Sequence, residues 1–470
     1  MAIAIIGGGL SGTLTAIHLL RNASGNQTIY LIEQDRYRMS RGIAYSSQLS
    51  FQPLNVPASA MSLFPEQPLD FYDWLKANEQ HYEKHLKQPV TKDDFIPRFI
   101  FGDYLKARLE EAEKLTPAHV KLIKVYDEAV AIKRSGNLFQ IAFKESKTIT
   151  ATKAVLALGN FAPGNLPIPN TGFYQSAAYI ASPWSAKGLA NLPADAPLLL
   201  IGSSLTMVDL VGSLKEEGHS GKIYVLSRHG LLPQPFDVTT RPYPKLKIPV
   251  GLSLLSLVKF IRSEIKEAEA LGYNWRSVLD AMREAIPVIW QTLPLKEKKQ
   301  FMRHLRPYWE THRHRMPAGS AALLQDLQEQ GRLELIAGTI VDMHELGHKA
   351  RVTIKRRKQS IAQTIEVSRV INCTGPQSDF AKIDVLLVEQ LLASRMIQPD
   401  TLKLGLRTAP DGTVINGNGM LEDGFYTIGP PRKATLYEST ALREIRQQAK
   451  ELAQNILQEN NLYECNMLVS

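Results

Sequence analysis

Apolar and polar residues alternate in blocks at the start of the chain, and the blocks predict a strand, a helix and a second strand. Ala2–Ile6 is a short apolar run of the kind found in strands buried on both faces. Leu14, Ile17 and Leu20 then recur with helical spacing, and Thr28–Ile32 is a second apolar run. A helix placed between two such strands favours an α/β unit with a parallel sheet.

A Gly-x-Gly-x-x-Gly motif joins the first strand to the helix, and Glu33 ends the second strand. The motif contains Gly7, Gly9, Leu10, Ser11 and Gly12. Its glycines permit a tight turn, a close approach of backbone to a pyrophosphate, and close packing of helix on strand. The helix N-terminus offers free N–H groups to phosphates, and Glu33 can bind a ribose diol but would repel a 2′-phosphate. These residues predict a site for FAD or NAD, against the alternative of a merely glycine-rich turn.

A second, imperfect copy of the pattern begins at the apolar run Leu198–Ile201. Its turn and helix start contain Gly202, Ser203, Ser204 and Leu205, and its second strand ends in Ser227 and Arg228. Gly7 to Glu33 and Gly202 to Arg228 both span 26 positions, which indicates an internal repeat. Because an arginine replaces the acid and can pair with a 2′-phosphate, the second copy is predicted to bind NADPH.

The second copy lacks two of the three motif glycines. Ser204 and Met207 take their places, so a Cβ is expected to crowd the pyrophosphate and the helix to lie further from its strand. The hydroxyls of Ser203 and Ser204 can compensate by binding phosphate oxygens. The alternative is a relict unit without a working nicotinamide site.

Two further apolar runs end in glycine, at Gly159 and Gly375, and are either domain crossings or ordinary turns. Both glycines are candidates for the cofactor-binding site. As crossings, they predict a discontinuous FAD domain interrupted by an NAD(P)H domain, both Rossmann-like. The predicted boundaries are 1–185 and 369–470 for the FAD domain, 186–230 and 331–368 for the NAD(P)H domain, and 231–330 for an all-α insertion.

The insertion is predicted from a proline-rich stretch followed by helical spacing of apolar residues over 252–330. Near its end lies a basic, aromatic cluster that includes Arg313 and Arg315. Arginine binds carboxylates bidentately, so these two residues are candidates for gripping an anionic substrate. The alternative is a solvated helix end whose cations oppose the negative dipole terminus.

Composition narrows the class of protein. The 470 residues carry a net charge of +9, with 44% hydrophobic residues and two cysteines, Cys373 and Cys465. No run is long enough to span a membrane, no signal peptide is evident, and no disulfide framework or metal site is expected. The positive charge favours anionic cofactors and substrates, and without a nucleic-acid module we expect no nucleic-acid partner. A reduced, cytoplasmic setting is expected, and the oligomeric state is left open.

Several segments resemble a bacterial family of FAD/NAD(P)-binding proteins related to the flavin-dependent N-hydroxylating monooxygenases and to urate hydroxylase. They are IAIIGGGLSGTLTAIHLL, RGIAYSS, LNVPASAMS, IPRFIFGDYL, GSSLTMVDLV, LSRHGLLP, HLRPYWETHRHRMP, VINCTGP and IGPPRKATLYESTALREIRQQA. The resemblance implies that FAD lies across the first domain and that NAD(P)H docks from the second. It further implies that Arg41, Asn55 and Arg98 line the flavin site. Gly429 and backbone near Thr435 are candidates in the C-terminal segment, where Gly-Pro-Pro replaces the Gly-Asp of disulfide reductases.

The resemblance and the two motifs predict an FAD-dependent monooxygenase. NADPH would reduce the flavin, and one atom of molecular oxygen would enter a small polar substrate such as an amine, an amino acid or a purine-like compound. Because the cofactor carries this chemistry, no catalytic residue is assigned. Two alternatives stay open: a flavin reductase or dehydrogenase without oxygen insertion, and a non-catalytic flavin-bound redox sensor.

Overall fold

A computed structural model describes residues 1–47, 52–183, 192–244 and 246–468, with side chains to residue 458. Its strands form a six-stranded, a seven-stranded and a three-stranded sheet. The strands are β1 (Ala2–Ile6), β2 (Gln27–Ile32), β3 (Val120–Val125), β4 (Ala129–Ser135), β5 (Leu138–Phe143), β6 (Ile149–Ala151), β7 (Lys153–Leu156), β8 (Tyr179–Ile180), β9 (Leu198–Ile201), β10 (Ile223–Ser227), β11 (Leu333–Leu346), β12 (Lys349–Arg356), β13 (Ala362–Val367), β14 (Arg369–Asn372), β15 (Thr413–Ile415) and β16 (Leu421–Thr427).

The helices lie mainly between these strands. They are α1 (Leu10–Asn22), α2 (Asp70–Ala77), α3 (Arg98–Leu115), α4 (Leu205–Glu216), α5 (Leu254–Ala270), α6 (Trp275–Ala281), α7 (Ile286–Thr292), α8 (Leu295–Gln300), α9 (Arg306–Arg313), α10 (Ala318–Glu329), α11 (Leu386–Ala393), α12 (Lys433–Leu436) and α13 (Leu442–Leu468). Among the described residues, no helix combines the length and the apolar character that crossing a membrane requires.

The six-stranded sheet has the order β15-β16-β7-β1-β2-β3, in which β16, β7, β1, β2 and β3 run parallel. Strand β1, near the middle of this sheet, is apolar on both faces because other elements cover both faces. Ile3 and Ile5 pack into the core formed with α1, α3 and α13, whereas Ala4 and Ile6 pack towards the three-stranded sheet and α11. This explains why β1 shows a continuous apolar run rather than an alternating pattern.

The seven-stranded sheet has the order β13-β12-β11-β10-β9-β14-β8. Its strands β8, β14, β9, β10 and β11 are parallel, and the hairpin strands β12 and β13 extend it in the antiparallel sense. The apolar run Leu198–Ile201 lies at the middle of the parallel part, as β1 does in the first sheet. The predicted fold class, two Rossmann-like units with a helical insertion, is therefore confirmed.

The sheets correct three predicted boundaries. Strand β14 (Arg369–Asn372) pairs with β9 in the second sheet, so the return to the first sheet comes after residue 372 and not at 369. Strand β8 (Tyr179–Ile180) pairs with β14, so the second unit begins before residue 180. Leu324 and Leu327 of α10 are buried in the core of the second unit, so α10 belongs to it and the insertion ends earlier than residue 330. The predicted junction between residues 185 and 186 lies outside the described residues.

Candidate functional site

The first glycine motif forms the turn between β1 and α1, and two of its glycines have no room for a side chain. Gly7 has a φ of 112°, and a Cβ there would lie 2.2 Å from the carbonyl oxygen of Ala157. A Cβ on Gly12 would lie 1.9 Å from the carbonyl oxygen of Gly7. The helix therefore begins directly against the strand, which turns its free N–H groups towards the space beyond the carboxyl end of the sheet.

Glu33 lies just beyond the end of β2 and contacts this turn. The backbone N–H of Gly8 donates to Glu33 Oε2 at 3.1 Å, and that of Asp35 donates to Oε1 at 3.4 Å. Burial raises the pKa of Glu33 above its ordinary value, although these two hydrogen bonds act in the opposite direction. The structure thus brings the predicted acid and the predicted glycines together at one edge of the sheet.

The C-terminal segment returns to the same turn. Gly429 has a φ of 79°, and a Cβ there would lie 2.6 Å from Ser11 Oγ. Its backbone N–H donates to Gln448 Oε1 at 3.0 Å, whereas the buried Gln448 Nε2 has no partner. Thr435 lies further along, and its hydroxyl is 2.9 Å from that of Thr408, so this side chain is already occupied.

Arg41 lies in a second loop that packs on the motif. Its guanidinium donates to Asp103 Oδ1 at 2.5 Å, and it borders a cleft of about 510 Å³ between the loop that follows β2, the end of β3 and α3. The neighbouring Gly42 has a φ of 58°, and a Cβ there would lie 3.0 Å from the Cα of Gly9. The sequence analysis missed Gly42, because its close contact is with a residue 33 positions away.

Asn55 and Arg98 each leave a buried polar atom without a partner, namely Asn55 Oδ1 and Arg98 Nε. The Arg98 Nη2 donates to Asp209 Oδ2 at 3.0 Å. Asp209 lies on α4, so Arg98 also links the first unit to the second. This interdomain contact was not foreseen, since nothing in the sequence relates the two positions.

The second glycine turn repeats the geometry of the first. Gly202 has a φ of 107°, and a Cβ there would lie 2.4 Å from the carbonyl oxygen of Cys373. Ser204 precedes α4 with φ and ψ of −95° and −168°, close to the −77° and −161° of Gly9 before α1. Leu205 begins the helix. The serine therefore leaves the backbone path of the turn unchanged.

Two other residues of the second turn, Ser203 and Met207, also differ from their counterparts in the first turn. The Ser203 hydroxyl lies 2.8 Å from Ser227 Oγ and 2.6 Å from the carbonyl oxygen of Leu231, so its expected availability to a phosphate is not supported. Met207 is fully buried in the core of the second unit. At the equivalent position of the first turn, Gly12 has no room for a Cβ. The expected larger separation of α4 from its strand stays a prediction.

Several basic residues lie around the carboxyl end of β10. Arg228 is exposed, and the next residue, His229, has its Nδ1 3.4 Å from Nη1 of Arg357 at the end of β12. Burial, Arg357 and Arg228 lower the pKa of His229. Sequence analysis found Arg228 but missed Arg357, which is 128 positions from His229 and joins the group only through the pairing of β11 with β12.

The two candidate substrate residues are buried and already paired with acids. Arg313 is buried and pairs with Glu444 at 3.3 Å and with Glu438 at 3.7 Å. Arg315 is buried as well and pairs with Asp280. The alternative of a solvated helix end is wrong, because acidic partners from other segments hold the guanidinium groups inside the protein. The substrate role stays a prediction.

Comparison with known proteins gives a family match for the first third of the chain. Residues 4–161 match the model of a family described as FAD-NAD(P)-binding, which confirms the predicted resemblance and the predicted type of cofactor for this part of the chain. No curated protein matches the sequence. Beyond residue 161, the likeness to known proteins is one of fold.

Solved structures share this fold over nearly the whole chain. The ornithine N-hydroxylase of Kutzneria sp. 744 is 13% identical, with a TM-score of 0.61 over 98% of this chain and 99% of its own. The FAD-bound cadaverine monooxygenase of Erwinia amylovora is 12% identical, with a TM-score of 0.64 over 97% and 94%. The bacillithiol disulfide reductase of Staphylococcus aureus is 13% identical, with a TM-score of 0.53 over 98% of both chains.

Proposed function

We propose that the protein is an FAD-dependent, NADPH-using monooxygenase that transfers one oxygen atom from O₂ to a small substrate. One observation carries the proposal. Equivalent glycine turns follow the central strands β1 and β9 of two separate sheets, and the next strand along the chain is followed by an acid in the first unit and by cations in the second. The acid is Glu33, and the cations are Arg228 and Arg357, with His229 beside them. This division suits FAD in the first unit and a 2′-phosphorylated nicotinamide cofactor in the second.

The residues around the first turn fit FAD. Gly7 and Gly12 have no room for a Cβ, so the strand, the turn and the helix pack as a dinucleotide-binding unit requires, and Glu33 lies where a ribose diol would be bound. The unpartnered buried atoms Asn55 Oδ1 and Arg98 Nε suit a ligand rich in donors and acceptors. When bound, the flavin would supply the redox chemistry, in which a hydride from NADPH, a proton and one O₂ convert the substrate into its oxygenated product and water.

The protein itself binds and orients the cofactors and the substrate, and it excludes water from them. The free N–H groups at the start of α1 hold the pyrophosphate, and the return segment at Gly429 closes the turn from the side of Ser11. In the second unit, the start of α4 holds the NADPH pyrophosphate, and Arg228 with Arg357 binds the 2′-phosphate. An ornithine N-hydroxylase and a cadaverine monooxygenase share the fold, which supports a small amine or amino acid as the substrate.

A second candidate is a flavoprotein that passes electrons without inserting oxygen. The shared fold of the Staphylococcus aureus disulfide reductase favours it. Within the part of the chain whose side chains are described, however, Cys373 is the one cysteine, and it is buried, with a pKa that burial raises. A thiol in this state suits neither a redox pair nor a nucleophile, so the monooxygenase is preferred.

The test is oxygen transfer itself. The FAD-loaded protein is incubated with NADPH, ¹⁸O₂ and a panel of small amines and amino acids, and both NADPH oxidation and the masses of the products are followed. We expect one compound to stimulate NADPH oxidation and to gain a single ¹⁸O atom. Stimulated oxidation without label in any product would favour the electron-transfer candidate.

A further inference from the structure

An apolar cavity of about 220 Å³ lies in the helical insertion. Helices α5, α6, α7 and α9 form its walls, and Tyr437 of the C-terminal return segment contributes one side. Leu254, Leu257, Val258 and Ile261 face it from α5, at the spacing that places side chains on one face of a helix. Neither the proposed FAD site nor the proposed NADPH site uses these residues.

The aromatic walls are held in place by hydrogen bonds outside the cavity. Trp290 Nε1 donates to the carbonyl oxygen of Ala434 at 2.9 Å, and Trp309 Nε1 donates to Glu438 Oε1 at 3.0 Å. The hydroxyl of Tyr437 donates to Glu310 Oε1 at 3.3 Å. Since the polar atoms of these side chains are satisfied elsewhere, the rings present carbon to the cavity, which is therefore preformed and apolar.

The size and lining of the cavity define what fits. An apolar cavity of about 150 Å³ holds a benzene molecule and stays free of water, because water finds no partners there. The present cavity is larger and has room for a substituted benzene ring or a short alkyl chain. A fully polar molecule would lose its hydrogen bonds to water on entering and would gain none in return.

One charged residue lines the cavity. Arg262 lies one residue after Ile261 on α5, is exposed, and makes no ion pair with any of the described residues. An arginine beside an apolar cavity can bind a carboxylate bidentately while the rest of the ligand occupies the cavity. We propose that this site binds a small amphipathic carboxylate, with an aromatic ring or short alkyl chain in the cavity and the carboxylate on Arg262. The proposal concerns binding alone and does not depend on the oxidation chemistry above.

The experiment uses 3-phenylpropionate as the probe and the FAD-loaded protein. Binding is measured by calorimetry and by the fluorescence of the tryptophans, two of which line the cavity. Arg262→Gln removes the proposed partner of the carboxylate. Lys259→Gln is the matched control, because Lys259 is an exposed cation on the same helix that does not line the cavity. The uncharged amide of the same probe tests the role of charge from the ligand's side.

We expect the wild type to bind the carboxylate, Arg262→Gln to weaken that binding about tenfold, and Lys259→Gln to leave it unchanged. The amide should bind wild type and Arg262→Gln with equal affinity. Since Arg262 is exposed, flavin content and melting temperature should be unaltered in its variant, so a change in binding is not a folding defect. Absence of binding to the wild type, or equal effects of the two substitutions, would overturn the proposal.

Discussion

Arg98 of α3 and Asp209 of α4 form a buried ion pair, 3.0 Å between Nη2 and Oδ2, that joins the two dinucleotide-binding units. Burial raises the pKa of Asp209 and Arg98 opposes that rise. The pair connects the helix that follows the second glycine turn to a residue with a free buried nitrogen at the proposed flavin site. This contact, together with the hydrogen bond from Gln52 Nε2 to Ser213 Oγ at 3.4 Å, links the two units.

Removing one partner of this ion pair should lower the stability of the protein. Asp209→Asn leaves the Arg98 guanidinium buried without a counter-charge, and we expect a loss of about 3 kcal/mol in the free energy of unfolding. The double variant Arg98→Met with Asp209→Leu removes both charges and should lose less than Asp209→Asn alone. Denaturant unfolding of the FAD-loaded proteins measures both. A double variant less stable than the single one would contradict the assignment of the cost to an unpaired charge.

The glycine turn gives a prediction with an internal control. Gly12→Ala places a Cβ against the carbonyl oxygen of Gly7, so the turn must shift, and FAD content and melting temperature should both fall. Gly319→Ala is the matched substitution in α10, where a Cβ would meet nothing within 4 Å. There the melting temperature should be equal or slightly higher, since alanine favours the helix. Equal behaviour of the two variants would contradict the packing described for Gly12.

Cofactor selectivity tests the basic group beyond β10. Arg228→Ala and Arg357→Ala should each raise the KM for NADPH about tenfold, because each removes one charge-assisted contact to the 2′-phosphate. The KM for NADH, which lacks this phosphate, should change little. Steady-state kinetics with both cofactors measures the difference. Parallel increases for NADPH and NADH would remove both residues from the 2′-phosphate site.

His18 gives a prediction about pH. Burial lowers its pKa to about 4, and the Nε2 atom is buried without a partner. The unfolded chain therefore takes up this proton first as the pH falls below about 6.5, and protonation favours unfolding. We expect a loss of about 3 kcal/mol of stability between pH 6.5 and 4, which is absent in His18→Leu. Melting temperatures across this range, with excess FAD, measure it, and the exposed His304→Leu should behave as the wild type.

Arg313 is now expected to act on stability. Arg313→Gln leaves Glu438 and Glu444 without one of their cations in a buried site, so the melting temperature should fall. Thermal unfolding checks this, and flavin reduction by NADPH in the folded fraction checks the active site. A stable variant with a weakened affinity for substrate would instead support the prediction that Arg313 binds an anionic substrate.

These outcomes separate what local sequence determines from what it does not. The first glycine motif was recognisable because Gly7, Gly12 and Glu33 act within one βαβ unit, and the fold class followed from its repetition. The sequence did not show that Arg313 and Arg315 are buried and paired, because their partners Glu438, Glu444 and Asp280 lie on other segments. Arg357 was missed for the same reason, since it depends on the pairing of distant strands. The boundary at residue 369 failed because an apolar strand does not indicate which sheet it joins.

The central claim is that both nucleotide sites work together, and anaerobic mixing of the purified, FAD-loaded protein with NADPH tests it most directly. The visible flavin absorption band should be bleached, and oxygen admitted afterwards should restore it. A yellow protein that NADPH leaves unbleached, even with candidate amines present, would contradict the account and favour a flavin-bound sensor whose second unit no longer binds a nicotinamide cofactor.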